Sequence, residues 1–131
     1  MNVVSFLLNL PIILIITAFI APTVIETETF SGRVTWVSDG DTFKMSEHRW
    51  AIRIWGIDAP ERDTTAGQAA RTFVTELIKG KQLTCNLVVV DKYKRTVATC
   101  YLGGQDIAPL ILDAGHAVEY CSFSRGHYGY C

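Results

Sequence analysis

The sequence predicts a small α+β domain, a five-stranded β-barrel with helical cover, and three observations predict it. Short apolar runs, alternating with polar residues where a face is solvated, recur five times between turn signals, as short strands do. A stretch of helical spacing follows the third run and a shorter one follows the fifth. The chain has 131 residues, room for one domain of this kind.

Residues 1–25 stand apart from that domain, because they carry no charged side chain. Their run of Val, Leu, Ile and Phe, broken by Asn9, Pro11 and Thr17, is about the roughly 20 residues that a membrane span needs. A secretory signal is the first expectation. An uncleaved anchor is the alternative, since no Lys or Arg precedes the apolar run and the exit holds bulky Phe19 and Pro22 around its small residues. On either reading residues 26–131 are exported, to a periplasmic or extracellular space, and all four cysteines meet oxidising conditions there.

The first strand is expected over residues 29–37, with Phe30, Val34 and Trp36 on one face. Asp39-Gly40 supplies a hairpin turn, and Thr42–Met45 begins the return strand. After a turn at Ser46, Glu47 and His48, residues 50–56 form a third strand. Trp50, Ile52 and Ile54 share one of its faces, and Ala51, Arg53 and Trp55 the other. Thr65-Ala66-Gly67-Gln68 matches a capping box, Ala69, Ala70, Phe73, Leu77 and Ile78 follow at helical spacing, and Gly80 is a stop. Residues 83–90 and Thr96–Leu102 are strands joined by the charged hairpin Asp91-Lys92-Tyr93-Lys94-Arg95. Asp106 caps a second helix that runs to Ala114, with Pro109 in its first turn and Gly115 closing it. Residues 117–131, rich in Gly and aromatics, give only irregular structure with a short strand. Five strands with helices after the third and the fifth are the pattern of an OB-type barrel.

Cys85 and Cys100 lie equally far from the centre of the 91–95 hairpin, so they should face each other across it. That leaves Cys121 to pair with Cys131.

The chemistry gathers at two turns. Arg53-Ile54-Trp55-Gly56-Ile57-Asp58-Ala59-Pro60-Glu61-Arg62 sets two carboxylates on a Pro-containing turn with an arginine at each end, and Asp39-Gly40-Asp41-Thr42 precedes it by about one hairpin. The turns can face each other, so that three or four carboxylates converge and need a hard cation or arginines to neutralise them. Net charge is −1, with 12 basic and 13 acidic residues, which excludes a generic basic nucleic-acid binder. Any polyanion must be held locally, by Lys92, Lys94 and Arg95 together with Arg53 and Arg62.

In order along the chain, Asp39-Gly40-Asp41-Thr42, Arg53 with Gly56-Ile57-Asp58-Ala59-Pro60-Glu61, Asp91-Lys92-Tyr93 with Arg95, and Ala114-Gly115 resemble the staphylococcal nuclease (thermonuclease) family. Each motif is weak alone; the ordered set, over roughly residues 30–120, is specific. The resemblance implies an OB-fold and a calcium-dependent phosphodiesterase that cuts DNA and RNA, single-stranded or unpaired by preference, to 3′-phosphate products, as a monomer. It implies Asp41, Asp58 and the Ala59 carbonyl as calcium ligands, Glu61 as general base, Arg53 and Arg95 on the phosphate, and Lys92 and Tyr93 in the nucleotide pocket. Tyr120 is the candidate for that pocket's aromatic wall.

Two departures from the family pattern stand out. Lys94 takes a place where many members have glycine. Beyond the position of Cys131 the best-known members continue into a long basic helix, whose stabilising part the disulfides are expected to take. His48, His116 and His127 show no ligand spacing, Asp39 reads as a turn former, and Trp36, Trp50 and Trp55 read as core or sheet-face packing. A non-catalytic OB module that binds nucleic acid or protein is the rival function; it would not need two metal carboxylates, Glu61 and both arginines. A purely structural exported domain is the third reading, and it expects no dependence on metal.

Overall fold

The computed structural model describes residues 11–131. The signal or anchor expected over residues 1–25 thus lies partly outside the described residues; residues 11–25 are exposed and form neither helix nor strand. Among the described residues no helix is long and apolar enough to cross a membrane.

In chain order the elements are strands β1 (Thr29–Asp39), β2 (Thr42–Met45), β3 (Ile52–Ile54) and β4 (Ile57–Asp58), helix α1 (Thr65–Ile78), strands β5 (Gln82–Val90), β6 (Thr96–Leu102) and β7 (Gln105–Asp106), helix α2 (Ile107–Asp113), strand β8 (Val118–Glu119) and helix α3 (Cys121–Ser124). The main sheet runs β3-β2-β1-β5-β6-β7, and a parallel pairing of β3 with β6 closes its first five strands into a barrel. The predicted OB-type barrel is therefore present, with α1 after the third barrel strand and α2 after the fifth. Its core joins Phe43, Ile52, Ile54, Leu83 and Ala98 from the strands to Val74 and Ile78 of α1 and Ile107 and Ile111 of α2, all fully buried.

Three local expectations are corrected. Register shifts between Val34 and Trp36 and between Val37 and Asp39 break the alternation of β1, so Val37 turns inward and Trp36 is 49% exposed. Trp50 is also exposed and Trp55 half-buried; none of the three tryptophans is in the core. Helix α1 is capped by Thr64 and not by Thr65. The Thr64 hydroxyl accepts from Gly67 N at 3.0 Å, while Gln68 Nε2 donates to the Arg62 carbonyl instead of reaching back to the cap. Val74, absent from the predicted apolar set, is buried between Ala70 and Ile78 at four-residue steps. Helix α2 is as predicted, with Asp106 accepting from Ala108 N at 3.0 Å.

Both expected disulfides are formed. Cys85 lies directly opposite Cys100 in the β5–β6 register, with their Cα atoms 4.1 Å apart, and Cys121 joins Cys131 with Cα atoms 5.8 Å apart. The second bond closes a segment folded around one buried carboxylate. Glu119, 6% exposed, accepts from Ser124 Oγ (2.6 Å), Tyr128 N (2.9 Å) and Tyr130 N (2.7 Å), and its strand β8 pairs with β4. Three donors on a carboxylate satisfy it without a cation. The histidines do not cluster: His48 stacks on Phe30 and His116 on Phe73, while His127 meets Trp55 edge-on.

Candidate active site

The β1–β2 turn can approach the Asp58–Ala59 segment because residue 40 is glycine. A Cβ there would come 2.8 Å from the Cβ atoms of both Ala59 and Ala70, too close for any real side chain. Asp41, 7% exposed, then bridges the two turns. Its Oδ2 accepts from Ala59 N at 2.9 Å, its Oδ1 from Thr42 Oγ1 at 2.9 Å, and its carbonyl from Ile54 N at 2.8 Å.

Arg53 enters from β3 between the two aspartates. Its Nη2 lies 3.3 Å from Asp58 Oδ1 and 3.6 Å from Asp41 Oδ2, its Nη1 donates to the Ile54 carbonyl, and its guanidinium sits 5.7 Å from the centre of the Tyr120 ring. Arg95 is set by its own hairpin. Its Nε donates to Asp91 Oδ2 at 2.7 Å, while Asp91 Oδ1 accepts from the amides of Tyr93 and Arg95, both at 2.9 Å. Burial pushes the Asp91 carboxyl upward, but these bonds from Arg95 and Tyr93, with the charge of Arg95, outweigh it and hold the group below its usual range. The Nη groups of Arg95 have no protein partner among the described residues.

Glu61 is fixed by its backbone and free at its carboxylate. Its carbonyl accepts from Thr64 Oγ1 at 2.6 Å and from Thr64 N at 3.0 Å. The first turn of α1 presses on it so closely that a Cβ on Gly67 would fall 1.9 Å from that oxygen. The glycine in the predicted capping box thus serves the site. The Glu61 side chain is exposed on the wall of a polar cavity of about 350 Å³, shared with Asp39, Asp41, Arg53, Asp58, Ala59, Arg62 and Arg95. Arg53, Asp58 and Arg95 also border a second cavity of about 580 Å³, whose remaining wall is mostly apolar and includes Trp55, Val88, Val89, Tyr93, Tyr120 and Phe123.

The expected convergence of carboxylates needs correction. Four of them line one cavity, but among the described residues no three acidic, His or Cys side chains form a group that could hold a metal ion alone. Arg53 stands between Asp41 and Asp58 and takes part of the neutralising role. The carboxylates and backbone carbonyls here are all oxygen donors, which suits a hard cation such as calcium and not a thiolate- or imidazole-bound metal. Water and substrate oxygens must complete its shell.

Asp39 accepts from Asp41 N at 3.1 Å, the turn role expected of it, and is also held protonated to unusually high pH. Burial first, then the hydrogen bond and like charge of Asp41, raise its carboxyl to about 6 from 3.8. In the folded chain without added cation, ionising Asp39 is therefore unfavourable, and stability from this group falls as pH rises from about 4 to about 6. Asp39→Asn keeps an acceptor for Asp41 N. With chelator present, its Tm relative to the parent should climb across that window; a difference independent of pH would contradict this.

The sequence model of the family described as staphylococcal nuclease homologue matches residues 51–129, more than half of the chain. The chain belongs to that family. Among its relatives, a protein named probable endonuclease LCL3 from Candida dubliniensis is 28% identical, over 84% of this chain and 62% of the relative. An uncharacterized endonuclease of Escherichia coli O157:H7 is 34% identical, over 68% of this chain and 60% of its own length. An uncharacterized 38.1 kDa protein of Capnoides sempervirens is 34% identical, over 59% of this chain and 23% of the relative. The chain thus spans less than two thirds of the length of each.

In this staphylococcal nuclease homologue, Asp41, Asp58, Ala59, Glu61, Arg53 and Arg95 all border the polar cavity. Lys92 and Tyr93 border the apolar one, and Tyr120 is in its wall beside Arg53. Sequence reasoning missed Phe123, whose ring meets Tyr120 edge-on at 4.7 Å, and the exposed Val88 and Val89. Phe123 lies in a segment without periodicity, so only its aromatic character could have marked it. From the sequence Trp55 reads as packing, although it falls on the Arg53 face of the expected third strand, which in the structure ends at Ile54.

Proposed function

We propose that this domain is a calcium-dependent nuclease, hydrolysing phosphodiester bonds of DNA and RNA to 3′-phosphate products. The observation that carries the reading is the junction of the two cavities. Arg53 and Arg95 stand where an acidic polar pocket opens into an aromatic one, so a phosphodiester held by both guanidiniums has its nucleoside beside Tyr93, Tyr120 and Phe123 and its phosphorus within the pocket that Glu61 borders.

The residues divide the reaction among them. Glu61 takes a proton from water as the water oxygen bonds to phosphorus; the bond from phosphorus to the 5′ oxygen breaks, and that oxygen leaves with a proton from solvent. The phosphate stays on the 3′ side. Arg53 and Arg95 meet the charge that grows on the non-bridging oxygens with planar, paired donors. Asp41, Asp58 and the Ala59 carbonyl would hold calcium, which when bound supplies further positive charge to the same oxygens. The endonuclease names of two relatives support the reading, and two disulfides support an exported, oxidising location, free or held at the membrane through residues 1–25. The reading takes the domain as a monomer, as the family resemblance implies.

Residues 26–131 incubated with single-stranded DNA should cleave it with calcium and not in excess chelator. Calcium alone should bind weakly, on the order of 10⁻⁴ to 10⁻³ M, because the protein supplies an incomplete shell. Titration calorimetry with and without a non-cleavable nucleotide checks this, and tighter binding is expected with the nucleotide. Full cleavage in chelator, or binding of DNA with no cleavage under any condition, would overturn the reading, the second in favour of a binding module.

A further inference from the structure

Three exposed aromatic rings of the domain are each flanked by two cations. Trp36 has Arg71 at 5.0 Å and Lys79 at 5.8 Å, Trp50 has Arg49 at 4.8 Å and Lys94 at 6.0 Å, and Tyr93 has Lys92 at 5.1 Å and Arg95 at 5.3 Å. The first is a pairing of β1 with helix α1 and the loop after it. The other two belong together. Lys94, between Tyr93 and Arg95 in the hairpin, reaches across to Trp50.

The Trp50 loop is fastened to that hairpin. Thr96, 4% exposed at the hairpin's base, donates its amide to the Ala51 carbonyl at 2.9 Å, and its hydroxyl bonds His48 Nε2 at 2.9 Å. Trp50 precedes Arg53 by three residues, at most about 10 Å of extended chain between their Cα atoms, and it lines neither cavity, so it stands outside the phosphate site and next to the hairpin that borders it. It keeps 42% of its surface exposed and Tyr93 67%.

Lys94 adds an independent sign. Its φ of 62° is a left-handed conformation that glycine adopts freely and a lysine only at a cost. From that position its ammonium lies 6.0 Å from the centre of the Trp50 ring. In a chain of net charge −1, Arg49, Lys92, Lys94 and Arg95 thus concentrate positive charge on one edge, interleaved with two exposed rings. Rings that accept bases of any sequence, set among cations that meet the phosphates between them, are the chemistry of single-strand binding.

We propose that Trp50, with Arg49 and Lys94, is a stacking subsite for a neighbouring nucleotide of the strand bound at Arg53 and Arg95, extending the substrate path across the 91–95 hairpin. This rests on the nuclease reading above. The extension makes affinity depend on strand length, which the catalytic pocket alone does not require.

The test uses the chain in a Glu61→Gln background, where bound DNA persists, and end-labelled oligodeoxythymidylates followed by fluorescence anisotropy with calcium present. The gain in affinity from a dinucleotide to a strand of about ten nucleotides is compared across variants. Trp50→Ala should reduce that gain roughly 5-fold or more, and Trp50→Phe, which keeps a ring, should restore most of it. Lys94→Gly should also reduce it although it relieves the backbone, so that loss cannot be one of folding. Trp36→Ala removes an equally exposed, cation-flanked ring off the path and should leave the gain intact. A gain in Trp50→Ala as large as in the parent background overturns the subsite, and so does an equal loss in Trp36→Ala, which would mean diffuse attraction only. If the chain with Glu61 intact neither binds nor cleaves any of these strands, the nuclease reading falls and the subsite with it.

Discussion

Glu61→Gln is expected to lower kcat by roughly 10² to 10⁴-fold, the range of general-base removal, while the affinity for single-stranded DNA stays close to that of the parent. The substitution is nearly isosteric, and the structure makes it clean. What fixes residue 61 is its carbonyl, held by Thr64 and by the close approach of Gly67, and neither depends on the carboxylate. The carboxylate itself is exposed and has no hydrogen-bond partner among the described residues, so no fold-stabilising contact is lost. A glutamine amide can still orient water but cannot take its proton. Steady-state kinetics on a single-stranded oligonucleotide, with Kd measured separately, give the result, because a loss confined to kcat marks a group needed only in the transition state. Turnover near the parent's would remove Glu61 from the mechanism.

Arg53→Lys should cost roughly 10² to 10³-fold, again chiefly in kcat, the scale of removing one preorganised donor from a developing oxyanion. Charge is preserved, so Asp41, whose side chain is only 10% exposed, is not left without a neutralising neighbour. What goes is the fork. Arg53 donates to the Ile54 carbonyl and to Asp58 while leaning on Asp41, and one ammonium cannot keep those partners and face a phosphate in a plane. Calcium affinity measured beside kcat separates two losses: a change in turnover alone reports on the phosphate, while a parallel change in calcium binding reports on disturbed aspartates. A variant that keeps parental turnover and calcium affinity would show that charge alone suffices at this position.

Much of the site was legible because its parts are local. The six residues from Arg53 to Asp58, the Asp39-Gly40-Asp41-Thr42 turn and the Asp91–Arg95 hairpin each fold on short-range rules, and strands Thr42–Met45 and Thr96–Leu102 have the predicted bounds. The Cys85–Cys100 bond was expected from symmetry about the hairpin, although the turn itself pairs Val90 with Thr96 and Val89 with Val97, and it is the register shift between Leu87 and Val89 that brings Cys85 opposite Cys100. The Asp106 cap followed from side-chain chemistry one helical turn deep.

What the sequence could not choose was decided by contacts between distant parts. Thr64 and Thr65 cap equally well, and the closeness of Gly67 to the Glu61 carbonyl accompanies the choice of Thr64. Alternation placed Trp36 inside, and the two register shifts against β2 turned it out. Residues 117–131 have no period to read, because one buried carboxylate and a disulfide organise them and thereby bring Phe123 to the pocket. The sequence by itself thus determined which side chains carry the chemistry and the turns that present them. Only the parallel pairing of β3 with β6, which sets Arg53 opposite Val97 and so near Arg95, decided that they share one cavity; periodicity reports which face of a strand is buried and says nothing of which distant strand will close the barrel beside it.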